Sequence, residues 1–212
     1  MIRAIIFDFD GVVLDSVDIK TKAFARLFEE HGPDVQRQVV EHHLAHGGVS
    51  RFKKFAHIYE KILRRPMPAG ESERLGGRFS DLVFDEVVKA AWIPGAAEFL
   101  VQNHTRYRCF VASGTPQEEL ERIVRLRDLE KYFVGVFGTP PTKEEITRAI
   151  FAKEGLQNCE AIFVGDALTD FNAATACAVS FVGIASDGTD PFPPGTVVLP
   201  DLRGLAGLLA GM

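Results

Sequence analysis

The stretch IIFDFDGVVLDS, residues 5–16, ends a short apolar run with two carboxylates one residue apart. Asp8 and Asp10 repel each other at this spacing, and Gly11 follows them directly. A solvated strand end is the simplest interpretation, because Asp is frequent in turns. A D-x-D pair alone does not distinguish that interpretation from a functional site. The choice depends on what the remaining sequence places near these two residues.

The composition indicates an ordinary globular protein, with 46% hydrophobic and 25% charged residues in a chain of 212. That length accommodates one domain, or one domain with a modest insertion. A net charge of -5 predicts neither a nucleic-acid partner nor binding to a membrane. Three cysteines without C-x-x-C spacing, and no signal-peptide pattern, favour a cytoplasmic protein, for which a monomeric state is plausible.

Five short apolar runs predict buried strands, at residues 4–7, 109–112, 133–137, 161–164 and 181–184. They are continuously apolar rather than alternating, as strands covered on both faces are. From residue 95 onward, segments with helical spacing of apolar residues separate these runs. The alternation predicts an α/β fold with a doubly wound, Rossmann-like parallel sheet.

Residues 16–90 differ from the rest of the chain, because they contain several helical periods and no strand signal. The segment is too long for an ordinary crossover connection. We therefore expect an inserted α-helical cap over residues 16–90. The catalytic core would then comprise residues 1–15 and 91–212.

Polar residues follow the predicted strands where ligands bind in open parallel sheets, at the carboxyl ends. Ser113 and Gly114 follow the second run, and Lys143 follows the third. Asp166 follows the fourth run, with Asp170 four residues later. Together with the two aspartates of the first stretch, these residues indicate a site for a cation and a phosphate.

Two sequence patterns predict helix starts beside these residues. Residues 115–118 have the capping-box pattern with Pro at the first helical position. Ser113 and Gly114 would then lie where a helix N-terminus can bind an anion, unless the helix is merely capped. Residues 142–145 form a second capping box, which puts Lys143 in a first turn where the helix dipole opposes a cation. An anionic ligand explains that lysine better than helix stability does.

Asp166 and Asp170 could be ordinary acids at a helix N-terminus, which the dipole favours. Their occurrence together with Asp8 and Asp10 makes a hard-cation site the better interpretation. Mg²⁺ prefers carboxylates, waters and phosphate oxygens. A bound Mg²⁺ would also offset the repulsion between the carboxylates.

Four segments in this order resemble the motifs of the haloacid dehalogenase superfamily. They are DFDGVVLDS (8–16), VASGT (111–115), Lys143 and GDALTD (165–170). The helical insertion directly after the first motif resembles the superfamily's cap. The chain is most similar to the phosphoglycolate phosphatase and β-phosphoglucomutase-like group.

The resemblance implies a role for each matching residue. Asp8 would attack phosphorus and become an aspartyl-phosphate, and Asp10 would protonate the leaving oxygen and later activate water. Ser113 and Lys143 would hold the phosphoryl group. Mg²⁺ would be bound by Asp8, by the backbone carbonyl of Asp10 and by a third acid.

The third acid implied by the resemblance is Asp166. Asp170 would either bind the metal directly or contact one of the groups that bind it. The dehalogenases and phosphonate-cleaving members lack an acid at the position of Asp10. An intact Asp10 therefore favours phosphate-ester chemistry.

Two residues of the cap, Arg51 and Lys20, are the candidates for contact with the substrate. GVSR at 48–51 resembles the cap loop of β-phosphoglucomutases, whose arginine reaches the substrate. The alternative is an N-capping Ser50 with a solvated Arg51. Lys20 stands where those mutases have histidine, which argues against a mutase.

The histidines His42, His43 and His46 could suggest a metal site. A solvated cluster at a polar helix end is the favoured interpretation.

These observations predict a Mg²⁺-dependent phosphatase acting on a small phosphorylated metabolite, of the sugar phosphate or phosphoglycolate type. One alternative is a sugar-phosphate mutase that uses the same aspartyl-phosphate. Another is a non-catalytic metabolite-binding or regulatory protein, against which the intact Asp8 and Asp10 argue.

Overall fold

The structure is a computed structural model that describes residues 1–186 and 188–212. Its centre is a parallel sheet in the order β3-β2-β1-β4-β5-β6. The strands are β1 (Ala4–Phe7), β2 (Arg108–Pro116), β3 (Gly135–Thr139), β4 (Ala161–Gly165), β5 (Ser180–Ile184) and β6 (Val197–Leu199). The predicted α/β fold with a doubly wound parallel sheet is confirmed.

Helices connect β1 to β2, β2 to β3, β3 to β4 and β4 to β5, and a last helix follows β6. They are α1 (Val17–Leu27), α2 (Pro33–Ala45), α3 (Arg51–His57), α4 (Glu71–Lys89), α5 (Ala96–Asn103), α6 (Gln117–Leu126), α7 (Lys143–Glu154), α8 (Leu168–Ala176) and α9 (Leu205–Ala210). A π-helical turn, Ile58–Ile62, continues α3. No helix within residues 1–186 and 188–212 is long and apolar enough to cross a membrane.

Strand β1 is buried along its whole length because helices cover both faces of the sheet. Ile5 and Phe7 pack into one apolar cluster, together with side chains of α5, α6 and α9. Ala4 and Ile6 pack into a second cluster, with side chains of α7 and α8. Burial on both sides is why the strand sequences are continuously apolar.

Three details differ from the sequence-based expectation. Strand β6 was not predicted, since it has only three residues and lies partly exposed at the sheet edge. Strand β3 begins two residues later than expected, after the 3₁₀ helix Glu130–Tyr132. Strand β2 continues to Pro116, beyond its apolar run.

Helices α1 to α4 form the insertion between β1 and β2, and α1 packs against both α2 and α4. The Phe24 ring lies 5.7 Å from the Phe55 ring and 4.8 Å from the Phe79 ring, so aromatic contacts join α1, α3 and α4. These helices fulfil the prediction of an α-helical insertion in the fold.

The chain leaves the sheet and returns to it at adjacent positions. The Asp15 N–H donates a hydrogen bond to the Ala91 carbonyl at 2.9 Å, and the Ile93 N–H donates to the Val13 carbonyl at 3.1 Å. The inserted helices are therefore attached to the sheet through two neighbouring segments. The division into a core and a cap at residues 16 and 90 stays a prediction.

Candidate active site

Asp8 directly follows the central strand β1, between the ends of β2 and β4. Its backbone N–H donates to the Val164 carbonyl at 2.9 Å, which fixes it to β4. Its side chain is only 3% exposed. One carboxylate oxygen accepts the Phe9 N–H at 2.7 Å, and the other lies 2.7 Å from the Lys143 Nζ.

Lys143 begins helix α7, and the predicted capping box between Thr142 and Glu145 is formed. The Lys143 ammonium lies 2.7 Å from Asp8 Oδ2 and 2.5 Å from Asp170 Oδ1. Burial lowers the pKa of Lys143, but the charges of Asp170 and Asp8 outweigh burial and raise it above its usual value. The lysine is therefore a fixed positive charge between two acids.

Asp8, Asp166 and Asp170 each offer one carboxylate oxygen to a group in which the three oxygens lie within 4.8 Å of one another. Burial raises the pKa of Asp166 well above its usual value, and the charges of Asp8 and Asp170 add to this effect. Burial and the charge of Asp8 also raise the pKa of Asp170 to about 7, although Lys143 opposes this. Crowded acidic oxygens with one nearby lysine fit a Mg²⁺ ion, which would relieve their repulsion.

The two oxygens of Asp170 are already engaged by protein donors. Oδ1 accepts from the Lys143 Nζ at 2.5 Å, and Oδ2 accepts from the Ala167 N–H at 3.2 Å. Asp170 is fully buried, whereas Asp166 is partly exposed. Asp166 is therefore the better placed of the two to contact a metal directly.

The side chain of Asp10 lies in a separate set of hydrogen bonds. Its Oδ1 accepts from the Ser16 hydroxyl at 2.6 Å, and its Oδ2 accepts from the Thr115 hydroxyl at 3.1 Å and from the Lys20 ammonium. Burial raises the pKa of Asp10, but the charge of Lys20 and these three hydrogen bonds outweigh burial and lower it. A metal contact from this residue would come from its backbone carbonyl.

Gly11 is required by the approach of Asp166 to the first motif. Its φ is +78°, and a Cβ atom at this position would lie 2.1 Å from Asp166 Oδ2. Any larger residue would push the Asp166 carboxylate away from the site. This contact accounts for the glycine directly after the paired aspartates.

The predicted capping box at residues 115–118 is wrong. Strand β2 extends through Pro116, which precedes the first helical residue Gln117, and no side chain caps this helix in the described structure. The Thr115 hydroxyl is instead engaged by Asp10 and Lys20. Ser113 and Gly114 therefore lie in the strand rather than at the helix N-terminus.

Ser113 is nevertheless buried beside the site, and its hydroxyl oxygen accepts the Thr115 N–H at 3.1 Å. The loop at Gly47 and Gly48 covers this region from the inserted helices. The Thr169 hydroxyl donates to the Gly47 carbonyl at 2.7 Å. A Cβ atom on Gly114 would lie 2.5 Å from the Gly48 carbonyl oxygen, so this contact needs glycine.

We expect Gly48→Ala to lower kcat/KM for phosphate release by at least about tenfold. A Cβ atom here would lie 2.8 Å from the Lys143 Nζ and 2.2 Å from the Thr169 hydroxyl oxygen. Gly70→Ala is the matched control, because Gly70 has a similar φ of +76° with nothing within 4 Å of its Cβ position. Both variants carry left-handed backbone strain of about 1–2 kcal/mol. Equal activities of the two variants would contradict the steric explanation.

Arg51 is buried, so the interpretation as a solvated residue is wrong. Its guanidinium donates to Glu119 at 2.9 and 2.5 Å and to the Ser80 hydroxyl at 2.9 Å. It also lies 4.4 Å from the centre of the Phe79 ring. Ser50 makes no capping hydrogen bond to α3 in the described structure. Arg51 thus joins the inserted helices to α6 and is committed to a carboxylate there.

The expected solvated histidine cluster is wrong for His43. His43 is buried, and its ring lies 4.5 Å from the Phe24 ring. His42 stacks on His57 at 3.8 Å, and His46 lies beside it at 4.1 Å. Within the described residues, these side chains do not bring ligand atoms together as the three aspartates do.

Sequence reasoning missed four polar residues at or near the site. Ser16 and Thr115 lie inside quoted motifs, so their hydroxyls could have been considered as partners of Asp10. Lys54 lies on the buried face of its helix, four residues before Ile58, which is an unusual position for lysine. Glu119 carried no sequence signal, because its partner Arg51 is 68 residues away.

Comparison with known proteins places these observations in a family. Residues 5–184 match the family described as haloacid dehalogenase-like hydrolase. The chain therefore belongs to the haloacid dehalogenase-like hydrolases, and the predicted family is confirmed.

Three similar proteins illustrate the relationship. A phosphoglycolate phosphatase from Synechococcus elongatus is 25% identical over 190 residues, covering 86% of this chain and 83% of that protein. A phosphorylated carbohydrates phosphatase from Thermotoga maritima is 33% identical over 143 residues, covering 64% and 61%. The structure of a hydrolase from Bacillus subtilis bound to magnesium has a TM-score of 0.74, with 17% identity and 98% of both chains covered. Phosphatases among the relatives agree with the predicted class of phosphoric monoester hydrolase.

Proposed function

We propose that this hydrolase is a Mg²⁺-dependent phosphatase that acts on a small phosphorylated metabolite through an aspartyl-phosphate on Asp8. The observation that carries the proposal is the position of Asp8 at the end of the central strand. It is buried there, paired with Lys143, and close to Asp166 and Asp170. The phosphatases among the similar proteins support the choice of phosphate monoesters as substrates.

In the first half of the proposed reaction, a carboxylate oxygen of Asp8 attacks phosphorus. The bond between phosphorus and the ester oxygen breaks, and the leaving oxygen takes a proton from Asp10, which must first gain that proton because Lys20 and the hydrogen bonds around it keep its pKa low in the free protein. Lys143 and Ser113 hold the phosphoryl oxygens, whose spread negative charge needs fixed donors. Lys143 is suited to this because the acids around it keep it charged.

In the second half, Asp10 takes a proton from a water molecule as the water oxygen attacks phosphorus. The bond between phosphorus and the Asp8 oxygen breaks, which releases inorganic phosphate and restores the Asp8 carboxylate. The hydrogen bonds from Ser16 and Thr115 orient the Asp10 carboxylate for both proton transfers.

Mg²⁺ would be held by Asp8, Asp166 and the backbone carbonyl of Asp10. Asp170 would position Lys143 and the loop before α8. The ion would supply positive charge that lets a phosphate dianion approach the acids. The Bacillus subtilis hydrolase of the same fold, solved with magnesium, supports this assignment.

Removal of divalent metal by EDTA is expected to abolish phosphate release, and added Mg²⁺ is expected to restore it. Without the metal, the negative charges of Asp8, Asp166 and Asp170 would repel the phosphate dianion of the substrate. Ca²⁺ should restore activity poorly, because its longer and looser coordination misplaces the attacking oxygen. The measurement is phosphate release in metal-free buffer before and after each ion is added. Full activity in metal-free buffer would exclude the metal assignment.

A panel of phosphorylated metabolites would test the proposed reaction against its alternatives. Steady phosphate release supports a phosphatase, whereas interconversion of sugar phosphates with little release supports a mutase. Inactivity on every compound, with retained binding, would support a non-catalytic role. Lys20 bonds to Asp10 and Thr115 where the mutases carry histidine, which favours the phosphatase.

A further inference from the structure

Lys54, on α3, is a buried lysine that is only 2% exposed. Its ammonium donates to the His43 carbonyl at 3.1 Å and to His43 Nδ1 at 2.9 Å. Among the described residues it makes no ion pair. Lys20 and Lys143, the other lysines near the site, are both paired with carboxylates.

A buried ammonium without an anionic partner is costly, so its position needs an explanation. Burial and the positive charges of Lys20 and Lys143 together lower the pKa of Lys54 to about 7, although Asp10 and Asp166 oppose this. Burial and the charges of Lys54 and Lys20 lower the pKa of His43 to about 3, so this histidine is a neutral acceptor. His43 engages two of the three ammonium donors, and the centre of the Phe24 ring lies 5.5 Å from the Nζ, so neither residue supplies a negative charge.

Lys54 also interacts electrostatically with the catalytic residues. Its charge interacts with those of Lys20, Lys143, Asp10 and Asp166, which belong to α1, α7 and the loops after β1 and β4. The neighbouring cation Arg51 is paired with Glu119, whose carboxylate neutralises its charge. Lys20, on α1, is paired with Asp10, whereas Lys54 has no carboxylate partner in the described structure, so Lys54 remains available for an anionic group of the substrate.

We propose that Lys54 binds a second anionic group of the substrate, a carboxylate or a second phosphate close to the ester that is cleaved. The proposal rests on the proposed phosphatase function and narrows its substrates to phosphate monoesters that carry such a group. The transferring phosphoryl group is met by Lys143 and by the metal site. A second negative charge on the substrate would explain why Lys54 is buried nearby without a carboxylate partner.

The test compares matched substrates that differ only in the second anion. Phosphoglycolate is compared with its amide, and ethylene glycol bisphosphate with ethylene glycol monophosphate. Each pair is measured with the wild type, Lys54→Met and the control Lys53→Met, because Lys53 is the exposed neighbour of Lys54. The pair in which the wild type has the larger ratio of kcat/KM for the anionic substrate over its partner identifies the second anion as a carboxylate or a phosphate.

We expect Lys54→Met to lower kcat/KM by at least about tenfold on the preferred anionic substrate and by less than about threefold on its neutral partner. Lys53→Met should match the wild type on both. An equal loss on both substrates would overturn the proposal, since it would indicate a structural role. A wild type that shows no preference for either anionic substrate would also overturn it.

The pH profile gives an independent readout. The wild-type ratio of kcat/KM for the anionic and neutral substrates should fall as pH rises through about 7, where Lys54 loses its proton. The charged and titratable groups that interact with Lys54 act on both substrates, so they cancel in the ratio to first order. In the described structure these groups are His42, His43, Lys20, Lys143, Asp10 and Asp166. A ratio that stays constant with pH would contradict the proposal.

Binding separates this proposal from the proposed function. Calorimetric titration of phosphoglycolate and ethylene glycol bisphosphate into Asp8→Asn, with and without Lys54→Met, needs no turnover. If the wild type hydrolyses none of the esters but binding to Asp8→Asn still depends on Lys54, the phosphatase function fails and the assignment of Lys54 stands. If Lys54→Met binds as tightly as the parent, the assignment fails. Lys54→Gln and circular dichroism spectra check that the losses do not come from misfolding.

Discussion

Replacing Asp8 with Asn is expected to reduce phosphate release by at least about a thousandfold while leaving the fold intact. An amide of nearly the same size lacks the negative oxygen that attacks phosphorus. The variant should fold because Lys143 keeps its ion pair with Asp170 at 2.5 Å. The measurements are the rate of phosphate release with Mg²⁺ present, a circular dichroism spectrum and a thermal melt.

Asp18→Asn is the matched control, since Asp18 is an exposed aspartate in the first turn of α1. It should retain activity close to that of the wild type. A well-folded Asp8→Asn variant that keeps more than about a tenth of the wild-type rate would remove Asp8 from the nucleophile's role. Loss of folding in this variant would contradict the expected compensation by Asp170.

Replacing Arg51 with Ala is expected to destabilise the protein by about 3–5 kcal/mol. The side chains of Arg51 and Glu119 are 5% and 9% exposed, so the variant would leave a buried carboxylate without its partner. Burial raises the pKa of Glu119, whereas the hydrogen bonds and charge of Arg51 lower it, with a net lowering. The measurement is the free energy of unfolding in urea at pH 7.

The double variant Arg51→Met with Glu119→Leu should recover most of that loss, because both charges and their desolvation cost are removed together. Arg51→Met alone and Glu119→Leu alone complete the double-mutant cycle. A loss below about 1 kcal/mol for Arg51→Ala would show that the ion pair contributes little.

Arg51→Ala also shows whether Arg51 joins the inserted helices to the core or recognises the substrate. We expect equal losses of kcat/KM on the native substrate and on p-nitrophenyl phosphate, because the contact with Glu119 supports both reactions. A loss confined to the native substrate would instead identify Arg51 as a residue that contacts it.

Much of the fold could be predicted because its determinants are local in the sequence. A strand covered on both faces must be continuously apolar, which is how β1 was found. The capping box at Thr142 and Glu145 is equally local, since its hydrogen bonds join residues three apart. Strand β6 was missed because three partly exposed residues at a sheet edge carry little pattern.

Patterns failed where a side chain had a better partner far away in the sequence. Thr115 has the sequence pattern of a helix cap, but its hydroxyl bonds to Asp10, 105 residues away. His43 was expected in solvent, but the ring of Phe24 and the ammonium of Lys54 cover it. In both cases tertiary contacts overrode a local preference.

The sequence by itself determined the parallel sheet, the helical insertion and the acids and lysine that follow the strands, because parallel strands bring their carboxyl ends to one edge. Only the tertiary structure decided how the two buried cations of α3 are paired. Arg51 and Lys54 lie three residues apart on one helix face, and sequence favours the arginine. The fold places Glu119 against Arg51 and neutral His43 against Lys54, and this difference in partners leaves the lysine as the charge without a carboxylate.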